Sequence, residues 1–382
     1  MGLSGDPFFC SCLNRMANLE KKMMKKYILS LWVMMVYLCP MQLFAQYNGY
    51  KDWPNYERQL SGQVLLTDEC ALIAERVLDF QLSTGAWPKN IYYPQLEEGK
   101  VSAVRKANSD DTFSTLENRS TLTEIHFLSN MYLATDQRRF RKAAEEGIEY
   151  VLRSQYPNGG WPLCSPAKDD KDAQIAFAGD VMVNVLLFLN DIVEKKEPYS
   201  YLSDDYRNRA REAFTKGIAC ILNAQVRQNG KPTVWCAQHD HETLAPCSGG
   251  ANEPPSLSGK ESSSIVLLLM GIQDPDAFIV EAIEGAVQWF KNVAIKGQKR
   301  ENYINKQGKR DFRLVKDPHA ADMWARFYTL DDNRPFYTDT EGEIKYSYEE
   351  LTRERRTGVI WFSNEPSKVL RRYERWKARL QK

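Results

Sequence analysis

Between Thr67 and Leu82 the chain reads "TDECALIAERVLDFQL", with apolar residues at steps of three and four and Asp68 and Glu69 at its start. That period predicts an amphipathic helix with one buried stripe, its first turn acidic. The same pattern predicts helices over 120–133, 140–153, 173–193, 205–224, 258–272 and 275–293. Two of the starts carry capping signals. "SGKE" at 258–261 puts Ser258 at an N-cap with Glu261 at N3, and Asp274-Pro275 sets an acid before a proline at the first helical position. Strand-type alternation is scarce and short, and no low-complexity linker interrupts the chain. The expected fold class is all-α, in a single domain.

The predicted helices are punctuated by a recurring phrase. It reads "QLSTGAWP" at 81–88, "QYPNGGWP" at 155–162 and "QVRQNGKPTVW" at 225–235, and its tryptophans Trp87, Trp161 and Trp235 fall 74 residues apart, twice over. Glycine lets the backbone leave a helix with positive φ, and proline forbids continuation. The tryptophan then fills the space between successive helix pairs. A unit of this length holds two helices and their loops, and units that cannot bury a face alone must stack. About three such pairs in a ring make an α/α toroid. A Gln…Gly…Trp phrase also marks terpene-cyclase toroids, but this chain has no Asp-rich cluster of the kind that chemistry needs.

Composition changes the picture at the N-terminus. Lys21, Lys22, Lys25 and Lys26 precede the apolar run "YILSLWVMMVYLCPMQLFA", which ends on Leu43-Phe44-Ala45. Residues 1–45 therefore read as a signal peptide, with Met23 or Met24 as alternative starts, and 46–382 as the mature, secreted domain. A membrane anchor is the competing reading, weakened by Pro40 within the run. Net charge is +1, so no global field favours nucleic acid or an anionic membrane. Past residue 45 there are five cysteines, Cys70, Cys164, Cys220, Cys236 and Cys247, an odd number that leaves room for one bridge but is no disulfide framework. The 9 tryptophans and 19 tyrosines of the chain suit a carbohydrate surface as well as a core. The expected partner is a glycan, and the expected state a monomer.

Polar residues crowd into "GAWPKN" (85–90), "STLENRSTLTEIHFL" (114–128), "VWCAQHDHETLAP" (234–246), "PPSLSGKESS" (254–263), "WARFY" (324–328) and "ERRTGVIWF" (354–362). In this order, with "YPNGGWP", they resemble the family-10 polysaccharide lyases, secreted pectate lyases with an α/α toroid fold, across nearly the whole mature chain. The resemblance implies β-elimination on pectic or other uronic-acid polysaccharide. A base removes the C5 proton alpha to a carboxylate, and Ca²⁺ with arginine or lysine neutralises the developing charge.

Carried over residue by residue, the resemblance implies Arg326 and Lys89 as catalytic residues. It implies Asn118, His239, Asp240, Trp87 and Tyr328 as substrate-binding residues, and Glu117 and Asp180 as Ca²⁺ ligands. Departures from the family pattern are concentrated in the reactive centre. Glu117-Asn118 stands for Asp-Asn, Phe177-Ala178-Gly179-Asp180 for Phe-Asn-Asp-Asp, and Thr340-Glu341-Gly342 for Arg-Asp-Gly. The arginine expected as base falls at Gly250, within "SGGANE". Lys260, His241 and His126 are alternative bases. A catalytically silent homologue that binds acidic glycans is the alternative function, and hydrolysis by a Glu117–Asp180 pair a third. His239-Asp240-His241-Glu242 is not read as a zinc site, because neighbours on one loop rarely converge on one ion.

Overall fold

A computed structural model describes residues 52–250 and 252–380; the predicted signal peptide lies outside the described residues. The helices are α1 (Trp53–Glu57), α2 (Asp68–Asp79), α3 (Glu98–Ala107), α4 (Leu122–Thr135), α5 (Arg138–Arg153), α6 (Val181–Val193), α7 (Asp204–Ala224), α8 (Gly259–Leu269), α9 (Ala277–Val293), α10 (Arg353–Gly358) and α11 (Pro366–Arg379). α4 packs on α5, α6 on α7 and α8 on α9, giving the three pairs of an α/α toroid. α2, α5, α7 and α9 follow one another in one layer, while α6 and α8 touch in the other.

The recurring phrase stitches these layers together. The indole N–H of Trp87 donates to the Val77 carbonyl, that of Trp161 to Val151, and that of Trp235 to Ile221, each on the helix the phrase has just left. The glutamine amide reaches two carbonyls: Gln81 donates to Gly85 and Ala143, Gln155 to Gly159 and Ala213, and Gln225 to Thr233 and Ala282. One bond closes its own turn and the other grips the next helix of the layer. Gly85 and Gly159 have φ of 87° and 94°, as the helix-exit reading requires. Both are also pressed against the next helix. A Cβ at Gly85 would lie 2.4 Å from the Glu146 carbonyl oxygen, and one at Gly159 would lie 2.1 Å from that of Lys216. The sequence shows three copies, but the device has a fourth: Trp324, fully buried, donates to the Phe290 carbonyl at the end of α9.

Several boundaries differ from expectation for local reasons. The helix predicted from residue 173 begins only at Val181, because Gly179 and Asp180 adopt φ of 62°. α9 is capped by Asp276, whose side chain accepts from the Ile279 amide, two residues after the predicted cap Asp274. Ser258 is the N-cap of α8, yet its hydroxyl donates to Glu261 rather than accepting from the backbone. All five cysteines of the described chain are free. No helix among the described residues is long and apolar enough to cross a membrane.

One strand region escaped the pattern. Strands β1 (Gln298–Ile304) and β2 (Arg310–Lys316) form an antiparallel hairpin between α9 and the C-terminal helices. Their sequences "QKRENYI" and "RDFRLVK" carry few apolar residues, so no alternation betrays them. They are held by the Arg300 guanidinium, 3.4 Å above the Phe312 ring, and by Arg356 bound at both ends to Asp311 at 2.9 and 2.7 Å. Beside them Phe327, Phe336, Tyr337, Tyr348, Leu351 and Trp361 form a second, aromatic core.

Candidate active site

The loops that precede α4, α6 and α8 lie side by side. Short antiparallel bridges join Thr115 to Cys164, Pro162 to Ile175 and Ile175 to His239, and a further one joins Leu257 to Tyr328. Residues 362–363 pair in turn with 324–325. The chain is therefore brought, along one connected face, through every polar segment that the sequence singles out.

Positions ahead of the helices are twisted out of helical geometry. Asn118, Arg119 and Thr121 have φ of 55°, 63° and 68°, and Asp180 62°. Non-glycine residues with positive φ are uncommon, and clusters of them are typical of functional loops.

This face also gathers unsatisfied polar atoms. Gln174 Oε1, Asp180 Oδ1, Gln238 Oε1, His241 Nδ1 and Asn252 Oδ1 are buried and lack a hydrogen bond. An unpaired buried acceptor costs about 1–3 kcal/mol, so several in adjoining loops mark a place built for a polar ligand. Burial raises the pKa of Asp180, with Glu261 adding to the shift and a hydrogen bond from Ser264 opposing it.

Arg326 lies at the other side of the face. Its Nη2 is 2.5 Å from Glu253 Oε1, and its side chain remains about a third exposed (35%). Arg355 stands next to it. Its Nε and Nη2 donate to the carbonyl and hydroxyl oxygens of Thr338, at 2.9 and 2.8 Å, and its guanidinium packs 5.1 Å from the Trp361 ring. Thr338 in turn donates to the Asn252 carbonyl, tying this wall to the 249–253 loop. Burial and then the neighbouring Arg326 charge pull the Arg355 guanidinium below its ordinary pKa. Its neighbour Arg356 is the one that joins an ion pair, with Asp311.

Lys89 and Glu117, predicted as catalytic residue and calcium ligand, form an ion pair with one another. Asn118 donates to Asn90 beside them, at 3.1 Å. Among the described residues no group of three or more His, Cys, Asp or Glu side chains is placed to hold a metal ion. Calcium takes six to eight oxygens, largely carboxylate. With Glu117 given to Lys89 and Asp180 alone of its segment, the residues present do not fit that ion.

Three of the residues expected to contact substrate, Trp87, Tyr328 and His239, lie buried. Trp87 and Tyr328 are fully buried, the indole on Val77 and the phenol between the Ala325 amide and the Val293 carbonyl. His239 is also fully buried; Nδ1 meets the Leu244 carbonyl at 2.8 Å and Nε2 accepts from the Cys236 amide at 3.1 Å. All three hold the floor of the face rather than its surface. Asp240 is partly exposed but accepts from the Glu242 and Thr243 amides and the Thr243 hydroxyl, so it shapes its own turn.

The buried His239 has a consequence for stability. Burial lowers its pKa from 6.5 to about 4. Below pH 6.5 the unfolded chain takes up a proton that the folded one refuses, so stability from this group falls as the pH drops toward 4, by at most about 1.4 kcal/mol per pH unit. His239→Gln is expected to flatten that part of the melting temperature against pH curve. An unchanged acid limb in the variant would contradict the assignment.

The sequence profile of the pectic acid lyase family (Pec_lyase) matches residues 81–370. The chain belongs to this family. A family 10 polysaccharide lyase from Cellvibrio cellulosa superposes with a TM-score of 0.71 at 30% identity, covering 85% of this chain and 95% of that one. An aspartate-to-alanine mutant of the family 10 polysaccharide lyase from the same organism, in complex with trigalacturonic acid, gives a TM-score of 0.71 at 29% identity, covering 86% and 98%. No curated protein matches. The family match spans the toroid, the aligned loops and the Arg326 wall, and ends within α11.

Proposed function

We propose that the protein is a secreted lyase that cleaves pectic polyuronides by β-elimination on the face holding Arg326 and Arg355. The observation that carries this reading is the pair of adjacent guanidinium groups beside a connected row of buried, unpaired polar atoms, in a chain of the pectic acid lyase family. The relative solved with trigalacturonic acid supports the substrate class. A uronate carboxylate docks against Arg326, displacing or sharing the Glu253 contact, and the positive charge there favours the enolate-like form of the substrate. Arg355, whose guanidinium gives up its proton more readily than an ordinary one, acts as the base that takes the C5 proton. The C–H electron pair becomes the C4–C5 double bond, the C4–O4 bond breaks, and O4 takes a proton from solvent. Secretion follows from the N-terminal pattern, and N-terminal sequencing of exported protein is expected to begin at Gln46.

A specific observation favours a second reading, binding without cleavage. The family's expected base position holds Gly250, and a Cβ added there meets nothing within 4 Å, so the place for a side chain is open. The two readings separate in gels containing polygalacturonate, followed by detection of unsaturated product. Retardation with product supports the lyase; retardation without it supports the binder; mobility unaffected by any acidic glycan removes both. Gly250→Arg has open space for its side chain but a backbone φ of 158° that strains an L residue, so the variant is expected to be less stable while turnover rises at least tenfold. A variant no more active than the parent would show that Gly250 does not mark a lost base.

A further inference from the structure

A second cationic place lies beside the loops that precede α4 and α6. Trp53 anchors α1 by packing edge-on against Tyr93 and Phe127, with ring centroids 5.1 and 5.2 Å apart. That sets Glu57 and Arg58 over the start of α4, and together with Arg119, Thr123, His126 and Asn184 they line a cavity of about 200 Å³. The charges around it are unevenly matched. Glu57 is bound to His126 Nδ1 at 2.6 Å, and Asp191, also at the rim, to Lys196 at 2.9 Å. Arg58 and Arg119 have no carboxylate and no side-chain hydrogen bond among the described residues, although they are near enough for the two charges to oppose one another. Glu57, and more weakly Asp180, attract Arg119 from a distance without bonding to it. Asn184 likewise leaves its amide uncommitted among the described residues.

Two guanidinium groups held together at a cavity whose two carboxylates, Glu57 and Asp191, bond to His126 and Lys196 instead leave room for an anion that bridges them, and paired guanidinium groups match the two oxygens of a carboxylate. The size limits the ligand. Pockets for drug-sized molecules run to ~300–1,000 Å³, so this one takes about one sugar ring.

We propose that the cavity between α1, the start of α4 and α6 binds a single hexuronate, its carboxylate held by Arg58 and Arg119. The inference rests on the function proposed above only in taking a uronate as ligand. The hexuronate is either free or the end unit of a polyuronide.

The test is isothermal titration of the whole protein with galacturonate, with galactose as the neutral control. Saturable binding of galacturonate alone is expected, weakened at least tenfold in Arg58→Gln and in Arg119→Gln, weaker in high salt, and unchanged in the surface variant Lys142→Ala. Both glutamine variants alter exposed side chains, and unaltered melting temperatures verify their folds. Competition by a reduced-end trigalacturonate, but not by one whose opposite end is also blocked, assigns the site to a chain end; no competition by either assigns it to the free sugar. Binding untouched by both glutamine variants, or lost only in Arg326→Ala, overturns the proposal and leaves the lyase reading standing. No galacturonate binding while polygalacturonate still retards the protein overturns this proposal alone. Failure of both ligands removes the two together.

Discussion

Gly159→Ala is expected to destabilise the protein by about 2–5 kcal/mol, or to prevent its folding. The added methyl would sit 2.1 Å from the Lys216 carbonyl oxygen and 2.5 Å from its carbon. Both belong to the backbone of α7 and cannot swing aside. The residue also holds φ at 94°, where an L side chain is strained. Overpacking alone costs about 1–3 kcal/mol and the backbone term about 1–2 kcal/mol more. Against a total stability of about 5–15 kcal/mol this is a large fraction. Gly230→Ala is the control, since its φ is 76° but an added Cβ meets nothing within 4 Å. Denaturant melts of the two variants should differ by the packing cost. Equal losses would mean that the turn does not bear on α7 as described.

Arg326→Ala is expected to lower turnover on polygalacturonate at least a hundredfold. Loss of one positioned group that stabilises developing negative charge typically costs about 10²–10³ in rate. Lysine at this position should rescue little, because it cannot keep both the Glu253 contact and a forked grip on a carboxylate. A second readout separates this role from simple structural damage. The Arg326 charge helps depress the Arg355 pKa. Its removal lets that pKa rise, so the residual activity should need a more alkaline pH than the parent does. An unshifted pH profile would remove Arg355 as the proton acceptor. Full activity in Arg326→Ala would remove the site.

The architecture was legible because its repeat is made by side chains that act over fixed, short distances. A glutamine amide that must reach its own turn and the next helix, and a tryptophan that must reach back to the helix end, tolerate little variation in spacing. The Trp324 copy escaped notice because the β1–β2 hairpin is inserted between it and α9, which removes the interval. The hairpin escaped because arginine stacking and ion pairs, rather than apolar alternation, hold it. At the site, the segments that converge could be picked out by their polar content. Burial could not be read in the same way. Trp87, His239 and Tyr328 lie in segments that line the face, yet their side chains turn beneath it. Arg355 did not stand out in the sequence because its neighbour Arg326 lies 29 positions earlier in the chain, and only the fold brings the two charges together.

The most direct test of the account is ultraviolet absorbance of the C4–C5 unsaturated uronide during incubation of the protein with polygalacturonate, with and without a calcium chelator. The account predicts a steady rise that the chelator leaves unchanged and that Arg326→Ala abolishes. A flat trace on polygalacturonate, methylated pectin and rhamnogalacturonan alike would contradict it.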